Sequence, residues 1–180
     1  MNSFTPINRI PPEVLSLIPD YYREDEVDQG LIALKHVCSS WRETFASRSS
    51  LWTRLDFKNV DKTRAYTQGS QSSPLKIYLT SSKVIEDAFP LISPHIRRLE
   101  SLTIDAKTPL GHFCCHVPLL EKLAINISTG NKPVLDGAHL NRDLSSLHEL
   151  RLCRVITRLP WKNLANLRVF SLKSCSPSSQ

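Results

Sequence analysis

The sequence predicts an α+β chain of the repeating α/β kind: a helical N-terminal module followed by a short, irregular solenoid with parallel strands. Two observations carry this. Between residues 10 and 52, apolar side chains recur in helical steps of three and four. From Leu75 the period shortens to two, and a leucine pattern six residues long then returns four times. The implied layout is a helical module over 1–60, a linker or helix over 61–74, and a repeating unit of four to five copies over 75–180.

The first helix starts at Pro11 and Pro12, because first-turn amides need no partner within the helix. Glu13 favours the positive end of the helix dipole, and Val14, Leu15, Leu17 and Ile18 supply an apolar face. Pro19 stops the helix, and a mostly acidic connector runs from Asp20 to Gly30. A second helix is expected from about Leu31 to Ser47, with Leu31, Leu34, Val37, Cys38, Trp41 and Phe45 on one face. Leu51 and Trp52 begin a third short helix or turn. The stretch 61–73 is polar and ends in a Gly-Ser turn before Pro74.

Leu75, Ile77 and Leu79 alternate with Lys76, Tyr78 and Thr80, as in a half-buried strand. Residues 84–92 read as helix, broken by Pro90 and closed by Pro94. The six-residue pattern L-x-x-L-x-L follows at Leu99–Ile104, Leu120–Ile125, Leu147–Leu152 and Leu167–Leu172, with Phe170 substituting once. Its spacing is that of leucine-rich repeats, whose strands stack because no single unit can bury its own leucines. The last copy stands next to the C-terminus without a polar cap, as in a shortened form of a longer protein.

Composition narrows the function. The 180 residues are 41% hydrophobic, enough for a core, and no stretch is long and apolar enough to span a membrane. No secretory signal is visible, so the five cysteines read as reduced thiols in a cytoplasmic or nuclear protein. Net charge is −1 over residues 1–60 and +7 over the rest. The excess is spread among Arg97, Arg98, Arg142, Arg154, Arg158 and Arg168, without a basic stripe or aromatic platform, so a nucleic-acid partner is not expected. Phosphate-loop, zinc-protease and hydrolase motifs are missing, and neither enzymatic activity nor a cofactor is expected. His112, Cys114, Cys115 and His116 are too crowded for one zinc tetrahedron, so no metal is expected there either.

Three segments together carry a resemblance. Ile10 to Ile18, then Val37-Cys38-Ser39-Ser40-Trp41-Arg42, then Leu51-Trp52 are similar to the three helical pieces of an F-box. The whole chain resembles F-box proteins with leucine-rich repeats, especially a group from basidiomycete fungi. Pro19 and the long acidic connector depart from that pattern. The resemblance implies docking on the adaptor of a Skp–cullin–F-box ubiquitin ligase, and through it on a cullin. The implied adaptor-facing set is Ile10, Pro11, Glu13, Val14, Leu15, Ile18, Leu31, Leu34, Val37, Cys38, Trp41, Leu51 and Trp52, some of them internal. An apolar surplus in so short a helical piece points to a partner on physical grounds as well.

Strand alternation sends the residues between the leucines to the opposite, open face. There Lys76, Tyr78, Thr103, Lys122, Asn126, Glu149, Arg151, Ser171 and Lys173 are the candidate contacts to an unknown protein substrate. The alternative is a repeat scaffold whose helices merely cap the solenoid. A cap buries the face bearing Leu15 and Ile18, and a receptor leaves it open.

Overall fold

In the computed structural model, the described residues are 10–15, 17–18, 33, 36–80, 90–106, 117–128, 134–136, 144–159 and 161–173. Leu31, Leu34, the acidic connector and the His112–His116 cluster lie outside them. Helix α1 spans Pro12–Leu15, and the Pro11 carbonyl accepts the amides of Val14 and Leu15 at 3.0 Å. Proline thus starts the helix as expected. Helix α2 is shorter than its pattern suggested and spans Ser39–Ser47. Cys38 is extended (φ −161°) and its carbonyl takes the first helical amide, that of Arg42, so Val37 and Cys38 precede the helix. A 3₁₀ turn covers Ser49–Trp52.

Trp52 joins the helices. Its indole N–H donates to the Phe45 carbonyl at 3.1 Å, and its ring meets Tyr66 edge-on at 5.1 Å. Tyr66 lies on α3, Val60–Gly69, within the stretch read only as linker or helix. Asn59 caps α3 by accepting the Lys62 amide at 2.9 Å. Its inner face carries hydroxyls, with Thr63, Thr67 and Ser70 donating to the carbonyls of Asn59, Thr63 and Thr67. Those internal bonds let a polar segment lie against a core.

Gly69 ends α3 where a Cβ would come within 2.7 Å of Trp52 Cγ. Gly69→Ala is therefore expected to destabilise by about 1–2 kcal/mol, overpacking outweighing the gain in helix propensity. Urea unfolding checks this. Arg98 donates to the carbonyls of Gln71, Ser73 (3.0 Å) and Thr67 (3.4 Å), fastening the end of α3 to the segment that leads into Leu99. One cation of the basic excess is thus structural.

Among the described residues, six parallel strands form one sheet in chain order: β1 (Arg54–Leu55), β2 (Leu75–Leu79), β3 (Leu99–Ala106), β4 (Lys122–Ile127), β6 (Glu149–Cys153) and β8 (Val169–Lys173). β5 (Val134–Asp136) and β7 (Ile156–Arg158) make a separate parallel pair that the sequence did not suggest. β1 was not expected either. It lies inside the supposed helical module yet pairs with β2, so the boundary at residue 60 falls within a continuous sheet. Residues 90–92 are helical and the α-helix ends at Ile92, ahead of Pro94 as expected; Pro94 stands in the first turn of a 3₁₀ segment, Ser93–Arg98, that leads into β3.

Register aligns the leucine pattern in rows. Ile77, Leu102, Leu123, Leu150 and Phe170 form one, and Leu79, Ile104, Ile125, Leu152 and Leu172 the next. All are buried except the β8 members, Phe170 (48% exposed) and Leu172 (56%). Before each of β4, β6 and β8 the same turn recurs, with Leu120, Leu147 and Leu167 amides bonded to the carbonyls of Val117, Leu144 and Leu164 at 3.0–3.1 Å. Side chains also tie neighbouring turns: Ser146 donates to the Pro118 carbonyl and the Asn166 amide to that of Ser145.

Asp56 follows β1 and accepts from Lys62 Nζ at 3.0 Å and from the Lys58 amide at 3.2 Å. Burial raises its pKa, but these bonds and the two lysine charges prevail and hold the carboxyl below its ordinary value. The stability it contributes is present above the unfolded pKa of about 3.9 and is lost as pH falls through the lower folded value. Asp56→Asn should cost about 0.5–1 kcal/mol at pH 7, with the difference from wild type vanishing in the acid limb of a pH-resolved unfolding series.

Candidate functional site

Two surfaces are candidates. The first is on the N-terminal helices, where the short α1 can bury only one side. Leu15 (2% exposed) packs toward α2 and belongs to the same apolar cluster as Trp41, Phe45 and the strand leucines. Ile10, Ile18 and Cys38 are half-buried against that cluster. Trp41 is interior and edge-on to Phe45 at 5.8 Å, and Leu51 and Trp52 are interior too. Leu15, Trp41, Leu51 and Trp52 are therefore internal members of the implied set, and the face bearing Leu15 and Ile18, which a receptor was expected to leave open, is turned inward. The reason is alternation around one helical turn: burying Leu15 turns Val14 outward.

What stays open is a different set. Val14 (51%), Leu17 (51%) and Val37 (46%) are exposed, with Pro11 and Glu13 beside them. Of these only Leu17 was missing from the sequence-derived set. Its signal was the run Val14-Leu15-x-Leu17-Ile18, too apolar to be buried by a helix this short.

The second surface is the open face of the sheet. On β2, β4 and β6 alternation holds as expected, with the inner rows buried and the others reachable; on β3 the outer-row Ser101 is itself buried. One outer row runs Arg54, Lys76, Ser101, Lys122, Glu149, Val169. The next runs Tyr78, Thr103, Ala124, Arg151, Ser171, and the third Asp105, Asn126, Cys153, Lys173. All nine residues expected on this face are brought to it. Arg54, unpredicted because β1 was, lies over the Tyr78 ring at 4.3 Å.

Two adjoining depressions mark the face. One, of about 410 Å³, is lined by Lys76, Tyr78, Ser101, Lys122 and Glu149; the other, of about 470 Å³, by Asn126, Leu152, Cys153, Val169 and Lys173. Thr103, Ala124 and Arg151 border both. The trough exists because the middle row is mostly small.

Among the described residues no group of three or more His, Cys, Asp or Glu could hold a metal, and no helix is long and apolar enough to cross a membrane. Cys38 and Cys153 are half-buried.

Residues 7–58 match the F-box-like family model. That span includes α1, α2, the 3₁₀ turn and β1, hence the first candidate surface. Comparison with curated proteins and with solved structures gave no match.

Proposed function

We propose that this chain is a non-catalytic substrate receptor of a Skp–cullin–F-box ubiquitin ligase, working inside the cell in the cytoplasm or nucleus. The observation that carries the reading is the F-box-like match over 7–58 coinciding with exposed Val14, Leu17 and Val37. F-box-like segments bind Skp-type adaptors, and uncovered aliphatic side chains suit such a contact. The parallel strands are read as irregular leucine-rich repeats of the basidiomycete F-box type, and their open face as the seat of a protein substrate. Catalysis belongs to other subunits. The receptor acts by proximity, raising the effective concentration of its substrate beside the ubiquitin-charged enzyme.

Two observations favour the scaffold alternative: the face bearing Leu15 and Ile18 is turned inward, as a cap's would be, and β1 makes the helical segment continuous with the sheet. Co-purification of the chain with a Skp-type adaptor separates the two readings. A stable 1:1 complex is expected of a receptor, and its absence leaves a capped scaffold.

A further inference from the structure

The two depressions on the sheet differ in chemistry, and the difference defines a ligand. Along the three outer rows the face carries Arg54, Lys76, Lys122, Arg151 and Lys173 against two carboxylates, Asp105 and Glu149. Glu149 is the register neighbour of Lys122, yet it is drawn to Arg151 at 2.6 Å. Asp105 accepts from Asn126 at 3.3 Å. Lys76 approaches Glu100 only at 3.9 Å. Lys122 is exposed and has no ion pair among the described residues.

Lys76 and Lys122 flank Ser101 in one row, each about 4.8 Å from it by strand spacing, with Thr103 in the next row. Lys76, Lys122 and Thr103 thus border one depression with the largely buried Ser101 beneath them, a seat for a carboxylate. The other depression, over Ala124, Leu152 and Val169, takes an apolar side chain. From β3 to β6 or β8 is two or three strand spacings, roughly 10–14 Å, which an extended peptide covers in about three or four residues.

We infer that the open face of the sheet binds an extended acidic peptide segment whose carboxylate sits between Lys76 and Lys122, with an apolar side chain three or four residues away over Ala124 and Val169. This rests on the proposed reading of that face as the substrate seat, and adds the chemistry of the substrate.

The test is fluorescence anisotropy of the full chain with a labelled short peptide in which two glutamates precede two leucines by three residues. Counterparts carry glutamine or lysine in place of glutamate. The acidic peptide is expected to bind about tenfold or more tighter than either counterpart, with affinity falling as salt rises. Lys122→Glu should abolish that preference, and Ala124→Trp, which fills the trough, should weaken the acidic peptide at least about tenfold. Circular dichroism confirms that both variants fold. Equal binding of all three peptides, lost in Ala124→Trp, would overturn the charge assignment while sparing the face as a protein-binding site. If no peptide binds, or binding is untouched by Ala124→Trp, the assignment and the reading of the face both fail. Adaptor binding through the N-terminal helices is a separate measurement.

Discussion

Leu152→Ala is expected to lower stability by about 3–4 kcal/mol, whereas Leu172→Ala should cost less than about 1 kcal/mol, although both fill the last position of the same leucine motif. The two differ in what covers them. Leu152 is 1% exposed, flanked in register by Ile125 and Leu172, so truncation leaves a cavity in a packed row. Leu172 lies on β8, whose other edge pairs with no strand among the described residues, and is already 56% exposed. For a chain of this size the Leu152 change corresponds to a fall in Tm of about 10 °C. Chemical denaturation of both variants checks it. Equal costs would mean that β8 is covered as fully as β6.

The second large effect concerns docking. Val14→Asp with Leu17→Asp places two charges on side chains that are half exposed in the free chain, so folding should change little. Against an adaptor the same charges would be desolvated without a partner, and affinity is expected to drop about a hundredfold or more. Leu15→Asp is a poor probe, because it buries a carboxylate beside Trp41 and Phe45 and should unfold the helices first. Calorimetric titration with a Skp-type adaptor, with circular dichroism alongside, distinguishes loss of contact from loss of fold. An unchanged affinity in the double variant would remove Val14 and Leu17 from the interface.

Much of the sheet was legible because its leucines do a periodic job. The pattern L-x-x-L-x-L places one leucine before each later strand and two within it, and those residues fall into the rows found between β3 and β8. The repeat is in fact longer than the pattern. Val117, Leu144 and Leu164 stand three residues upstream and close the turn that enters each strand, a signal present but read only in part. β1 was hidden by its length of two residues, too short for any alternation to register. α3 was left open between linker and helix because its core-facing positions are Thr63 and Tyr66, followed by the buried cap Ser70, a pattern with little apolar period that local hydroxyl bonds make buriable.

The N-terminal surface was legible in kind and misplaced in detail. The excess of aliphatic residues announced an uncovered patch, but sequence alone does not fix which side of a one-turn helix faces inward. Leu15 and Trp41 went in and Val14, Leu17 and Val37 stayed out. The open sheet face was read more completely, because alternation in a strand leaves only two choices and the buried leucines decide between them.

Site-specific photo-crosslinking of the folded chain in the presence of a Skp-type adaptor is the most direct measurement of whether the N-terminal patch is a docking surface. A photoreactive residue at Leu17 is predicted to capture the adaptor, and one at Lys122, on the sheet face, to leave it unlabelled. Capture from Lys122 and none from Leu17 would contradict the receptor account.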